Sequence, residues 1–141
     1  MWIVGDDMPR EGNGVTLHAE QKDQYGLPIP NVAFNDHPND VAMRNHAYDV
    51  GDRLYRAVGA TRTFPTPPYP STHNLGTNRM SANAADGVVN GHGQSHDVAN
   101  LFVSDGSQFT TGGAENPTLT IVALALRQAD FIAKEMSAGA I

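Results

Sequence analysis

Six histidines and no cysteine set the range of side-chain chemistry open to this 141-residue chain. An imidazole titrates near neutrality, so it can accept or donate a proton or bind a metal. Thiolate nucleophiles, thiolate metal sites and disulfides are excluded. His92 and His96 are four apart with Asp97 beside them, a spacing that joins two ligands only on a helix. Gly91 and Gly93 argue against a helix there, so both read as solvated loop histidines and no metal site is expected. His18, His37 and His46 are isolated and read as surface or hydrogen-bonding residues. Asp6, Asp7, Asp36 and Asp40 read as solvated turn or capping residues. The run Gly91-His92-Gly93-Gln94-Ser95-His96 begins like a phosphate loop but lacks its last glycine, and neither an apolar strand nor a helix flanks it. No Walker-type loop and no G-x-S-x-G nucleophile elbow occurs.

Two segments remain. One is His73-Asn74-Leu75-Gly76-Thr77-Asn78-Arg79-Met80. The other is Asn100-Leu101-Phe102-Val103-Ser104-Asp105-Gly106-Ser107, followed by Asn116-Pro117-Thr118-Leu119-Thr120-Ile121. The elements that must position them can be read from the pattern. Residues 1–35 hold short apolar runs (Trp2 to Val4, Val15 to Leu17, Ile29 to Phe34) separated by turn chemistry, and predict two or three antiparallel strands. Pro38-Asn39-Asp40 opens a helix over 39–58, with Ala47, Val50, Leu54 and Val58 as a buried stripe and Gly59 at its end. The Pro- and Thr-rich residues 60–70 cannot be helical, though Thr61 to Phe64 fits a short edge strand.

Residues 71–115 are polar and glycine-rich, with one strand candidate at Asn100 to Ser104. Residues 116–136 predict a helix, with Asn116 as N-cap, Pro117 at its first position, and Leu119, Val122, Ala123, Leu126 and Ala129 on one face. A strand, a glycine-containing loop and a helix N-terminus in succession often approach a ligand together.

The two segments together resemble the C-terminal region of the glucose–methanol–choline (GMC) family of FAD-dependent oxidoreductases. That family shows a histidine before a small-residue turn ending in Gly-Thr, often with Met. An "NL-x-V-x-D-x-S" strand, a short loop and "NP-x-x-T" opening the last helix follow. All three occur here in that order. The segment "NGVTLHAEQKDQYGLPIP" resembles the family's lead into its substrate sheet, and "GVV" before the strand agrees. Within the family the chain looks closest to bacterial sugar and polyol dehydrogenases of the gluconate or sorbitol type. Ser81 departs from the glycine usual after the Met.

The resemblance implies roles. His73 matches the histidine that takes the hydroxyl proton of an alcohol. Asn116 matches the second active-site position, which is His or Asn across the family. Asp105, Gly106 and Ser107 match the stretch along the ribityl and pyrophosphate, with Gly106 allowing close backbone approach. Asn116, Pro117 and Thr118 would contact the flavin ring at the helix N-terminus. The implied cofactor is FAD, and the implied substrate a small alcohol, sugar or polyol. His73 and Asn116 are expected to converge from separate loops.

The implied fold class is an α+β fragment. It comprises part of the substrate-binding antiparallel sheet plus the last strand and helix of a Rossmann-like FAD domain. Residues 1–99 would be a partial substrate-binding domain, and 100–141 the strand, loop and helix returning to the FAD domain. The dinucleotide-binding βαβ unit that opens such proteins is not in this sequence. The missing N-terminal FAD-binding portion is therefore an expected partner, and the chain alone is expected to be inactive. The alternative reading is a non-catalytic remnant or small binding module that keeps the scaffold.

Composition agrees with a piece of this kind. Gly (14) and Pro (9) are about one residue in six, above the usual share of roughly 12%, so much of the chain is expected in connections. A net charge of −6 argues against nucleic acid or an anionic membrane surface as the main partner. The longest apolar stretch, Leu119 to Leu126, is far shorter than the ~20 residues of a membrane span. Some apolar surface should be exposed in the chain alone, above all on the last helix.

Overall fold

The computed structural model describes residues 1–69 and 73–141. The end of the Pro- and Thr-rich stretch and the start of the glycine-rich one lie outside the described residues. The chain forms two compact units, Met1–Pro67 and Pro68–Ile141. The described residues form a small α+β structure, with a two-stranded antiparallel sheet and two α-helices. Among the described residues, no helix is long and apolar enough to cross a membrane.

In the first unit, β1 (Gly14–Lys22) pairs with β2 (Pro28–Ala33), with Gly14 opposite Ala33 and Leu17 opposite Pro30. The register shifts between Leu17 and Lys22. The His18 ring stabilises that irregular stretch, because its Nδ1 accepts the amides of Glu20 (3.2 Å) and Gln21 (3.0 Å). At the turn, Asp23 Oδ1 accepts from the amides of Tyr25 and Leu27, and Gly26 takes φ +81°, which few other residues tolerate. Trp2 to Val4 form no strand; the segment instead brings Met1 and Ile3 against Gly51.

Helix α1 (Pro38–Ala57) starts one residue earlier than the sequence predicts. His37 is the N-cap, accepting from the Asn39 amide at 3.1 Å. Asp40 accepts from the His37 amide at 2.8 Å, which completes a reciprocal capping box. Asp40 also takes the Met8 amide at 3.0 Å and is only 4% exposed, so it is a buried anchor rather than a solvated residue. Most of the expected buried stripe is open: Val50, Leu54 and Val58 are exposed, and Ala47 is half-buried. The N-terminal segment covers Asp40, Met43 and Gly51, with Met8 bonded to Asp40, Met43 against Gly5 and Met1 against Gly51. Residues 61–64 form no strand. Thr63 bonds Asp52, and Arg62 lies over the Phe64 ring, so this stretch is held by side chains and not by a ladder.

Before α2, the second unit is built from turns. Isolated bridges join Met80 to Val89, Val89 to Ser95 and Gln94 to Phe102. Val89 at their centre is fully buried. The expected strand at 100–104 reduces to the Phe102 bridge, because its pairing is limited to residues 93–95 and Leu101 turns back onto Val98. A single 3₁₀ turn, Gly106–Gln108, follows. Helix α2 (Thr118–Ala138) ends in Gly139 at φ +68°. It packs inside the unit through Ile121, Leu124, Ala125, Gln128, Phe131 and Ile132. The face the sequence singled out is open, with Leu119, Val122 and Leu126 all at least half exposed.

Candidate functional site

The histidine-bearing segment is stitched to the 3₁₀ turn by three backbone bonds. The amides of Gly76, Asn78 and Met80 donate to the carbonyls of Gly106 (3.4 Å), Ser107 (2.9 Å) and Gln108 (2.8 Å). Every second residue of one segment therefore meets each successive residue of the turn. Gly76 makes this possible, since it takes φ +86° and so redirects the chain after His73. Asn78 adds a side-chain bond, its Nδ2 donating to Ser107 Oγ at 3.2 Å.

Asp105 caps the turn, with Oδ1 accepting the Ser107 amide at 2.8 Å. The Ser107 hydroxyl, and then its amide, hold the Asp105 carboxyl below the ordinary aspartate value, while burial opposes them weakly. Gly106 is buried. A Cβ there would run into Leu75 Cδ2 and come within 3.3 Å of Ile121 Cδ1. The glycine is thus needed for packing inside the chain: the His73 segment and the first turn of α2 both close on it.

The α2 terminus differs from its sequence reading. Pro117, not Asn116, is the N-cap, already in the helical region at φ −83° and ψ −10°. Asn116 lies one residue too early to cap, and no side chain among the described residues bonds the helix start. The amides of the first turn are therefore available, and with the helix dipole they favour an anionic group. Asn116 instead lines an open concavity of about 310 Å³, shared with Met80, Thr110, Thr111, Glu115 and Pro117. Pro117 is buried, whereas Asn116 and Thr118 are exposed.

Of the sequence-predicted residues, Asp105, Gly106 and Ser107 are joined to the His73 segment. Asn116 and Pro117 share their concavity with Met80, the far end of that segment. His73 itself is exposed and is not among the described residues lining the concavity. His92 is not simply solvated, because its ring stacks on Phe131 at 4.1 Å between centroids. His96 is half-buried, with Nε2 3.3 Å from Ser81 Oγ. Sequence reasoning missed Asn78 and Gln128. The available signal for Gln128 was a polar residue one turn from both Leu124 and Phe131 on the packed face of a helix.

A family model described as GMC oxidoreductase matches residues 9–125. The chain belongs to the GMC oxidoreductase family. It is 46% identical over 140 residues to a 2-methyl-1,2-propanediol dehydrogenase of Mycolicibacterium austroafricanum, covering 97% of this chain and 25% of that protein. It is 33% identical over 138 residues to the fructose dehydrogenase large subunit of Gluconobacter japonicus (94% and 24%). It is 35% identical over 133 residues to a paromamine 6'-oxidase of Streptomyces fradiae (92% and 24%). The chain thus spans about a quarter of the length of these relatives.

Proposed function

We propose that this chain is the C-terminal portion of an FAD-dependent oxidoreductase that oxidises a CH–OH group of a small alcohol, sugar or polyol. The observation that carries the reading is the junction at Gly106, where the His73 segment and the first turn of α2 meet. It links the residue suited to take a proton with the helix end suited to face an anion. Relatives named as a 2-methyl-1,2-propanediol dehydrogenase, a fructose dehydrogenase and a paromamine 6'-oxidase support the substrate class.

The residues on hand suit such a cofactor: no side chain among the described residues caps the α2 terminus, and polar Asn116, Thr110 and Thr111 line the concavity beside it. Asn116, Pro117 and Thr118 would hold the flavin ring, and Asp105 and Ser107 would lie along its ribityl chain. Bound FAD would supply the hydride acceptor for the oxidised carbon. The His73 imidazole takes the hydroxyl proton. Asn116 hydrogen-bonds the same oxygen and fixes the orientation of its carbon.

Residues 100–141 are read as the part returning to a Rossmann-like FAD domain, and 1–99 as part of the substrate-binding domain. The open face of α2, at Leu119, Val122 and Leu126, would pack on the FAD-binding portion. The isolated chain is therefore expected to be inactive. Mixed with FAD and desalted, it should keep no stoichiometric flavin and reduce no dye with alcohols. Retained flavin with alcohol-dependent turnover would overturn the claim that the rest of the cofactor site lies elsewhere.

A further inference from the structure

We infer that Gln128 is a positioning residue that sets the Asp105–Ser107 turn, and through it the His73 segment, against α2. Its side chain is 5% exposed, on the packed face of the helix. Its Nε2 donates to His92 O at 3.0 Å and to Val103 O at 2.8 Å. A primary amide nitrogen has two hydrogens, and both are used. The two carbonyls belong to segments that also bond each other, since the Val103 amide donates to Gly93 O at 2.8 Å.

Gly93 is shaped for this contact. It is buried at φ +72°, and a Cβ there would collide with Gln128 Nε2 and lie 2.6 Å from Val103 O. One helical turn further on, Phe131 stacks on His92, so the helix grips the same turn by its backbone and its ring.

The consequence runs along the chain. Val103 is two residues before Asp105, and the turn that follows accepts the Gly76, Asn78 and Met80 amides. Gln128 thus fixes where the helix places Val103, and the turn fixes where His73 emerges. An apolar side chain in its place would leave the His92 and Val103 carbonyls without their Gln128 donor. The catalytic meaning rests on the proposed function, but the positioning does not.

Amide hydrogen exchange on the 141-residue chain, without flavin or substrate, tests the positioning by itself. Gln128→Met fills the space without donors. It should lower protection of the Val103, Asn78 and Met80 amides by about tenfold or more, while amides in the second half of α2 keep theirs. Gln128→Glu turns an acceptor toward both carbonyls when ionised and offers one O–H when protonated. Its losses should match those of Gln128→Met near pH 7 and be partly reversed at about pH 4.5, a reversal absent from the parent chain. Unchanged protection at Asn78 and Met80 in Gln128→Met would overturn the inference. So would loss spread evenly over α2 with no recovery of Gln128→Glu in acid. Either result leaves the flavin reading untouched, since no flavin enters the measurement.

Discussion

The backbone amide of Asn78 donates to the carbonyl of Ser107 at 2.9 Å, and the Asn78 carboxamide donates to the Ser107 hydroxyl at 3.2 Å. These two residues, 29 apart in sequence, join the histidine segment to the 3₁₀ turn Gly106–Gln108. Asn78→Ala keeps the backbone bond and deletes the other. It should cost about 0.5–1.5 kcal/mol, read as a lowered midpoint in thermal unfolding of the second unit. A midpoint equal to that of the parent would mean the side-chain bond contributes nothing.

Gly106 carries a sharper prediction, because the added methyl of Gly106→Ala would overlap Leu75 Cδ2. Overpacking of this kind costs about 1–3 kcal/mol. The obstructing atom is the end of a flexible side chain, so Leu75→Ala should restore part of the loss. In a double-mutant cycle by urea unfolding, the pair should couple by more than about 0.5 kcal/mol. Additive losses would show that the glycine is needed for another reason.

Asp105 gives the second unit a definite acid response. Its carboxyl is held below the ordinary value by the Ser107 hydroxyl and amide, so the ionised form is favoured in the folded state. The stabilisation is complete above the unfolded-state value and is lost as pH falls through the lower folded value. Unfolding midpoints measured from about pH 5 to about pH 2 should therefore fall less steeply in Asp105→Asn than in the parent. Parallel curves would remove Asp105 from this role.

The helices were legible because their signals are local. Pro38-Asn39-Asp40 announces the start of α1, Gly59 takes a positive φ just past its end, and Pro117 stands immediately before α2. Which face of α2 is covered was not legible. Leu119, Val122 and Leu126 form one apolar stripe and Ile121, Leu124 and Phe131 another, and periodicity cannot choose between two stripes. The strand expected at 100–104 failed because a strand exists only through its partners, and here a single bridge is made. The motif located Asp105, Gly106 and Ser107, but the physical need for Gly106 came from Leu75 and Ile121, which lie 31 and 15 residues away. A polar residue between Leu124 and Phe131 marks Gln128 as unusual, but its role depends on His92, 36 residues distant, and could not be read locally.

The central claim is that His73 accepts the hydroxyl proton during alcohol oxidation. The direct measurement is the rate of anaerobic flavin reduction by alcohol in a flavin-loaded protein that carries this sequence, compared with its His73→Ala form. The account predicts a fall of about 10²- to 10⁴-fold, with the bound-flavin absorbance unchanged. An undiminished rate with flavin bound would contradict it.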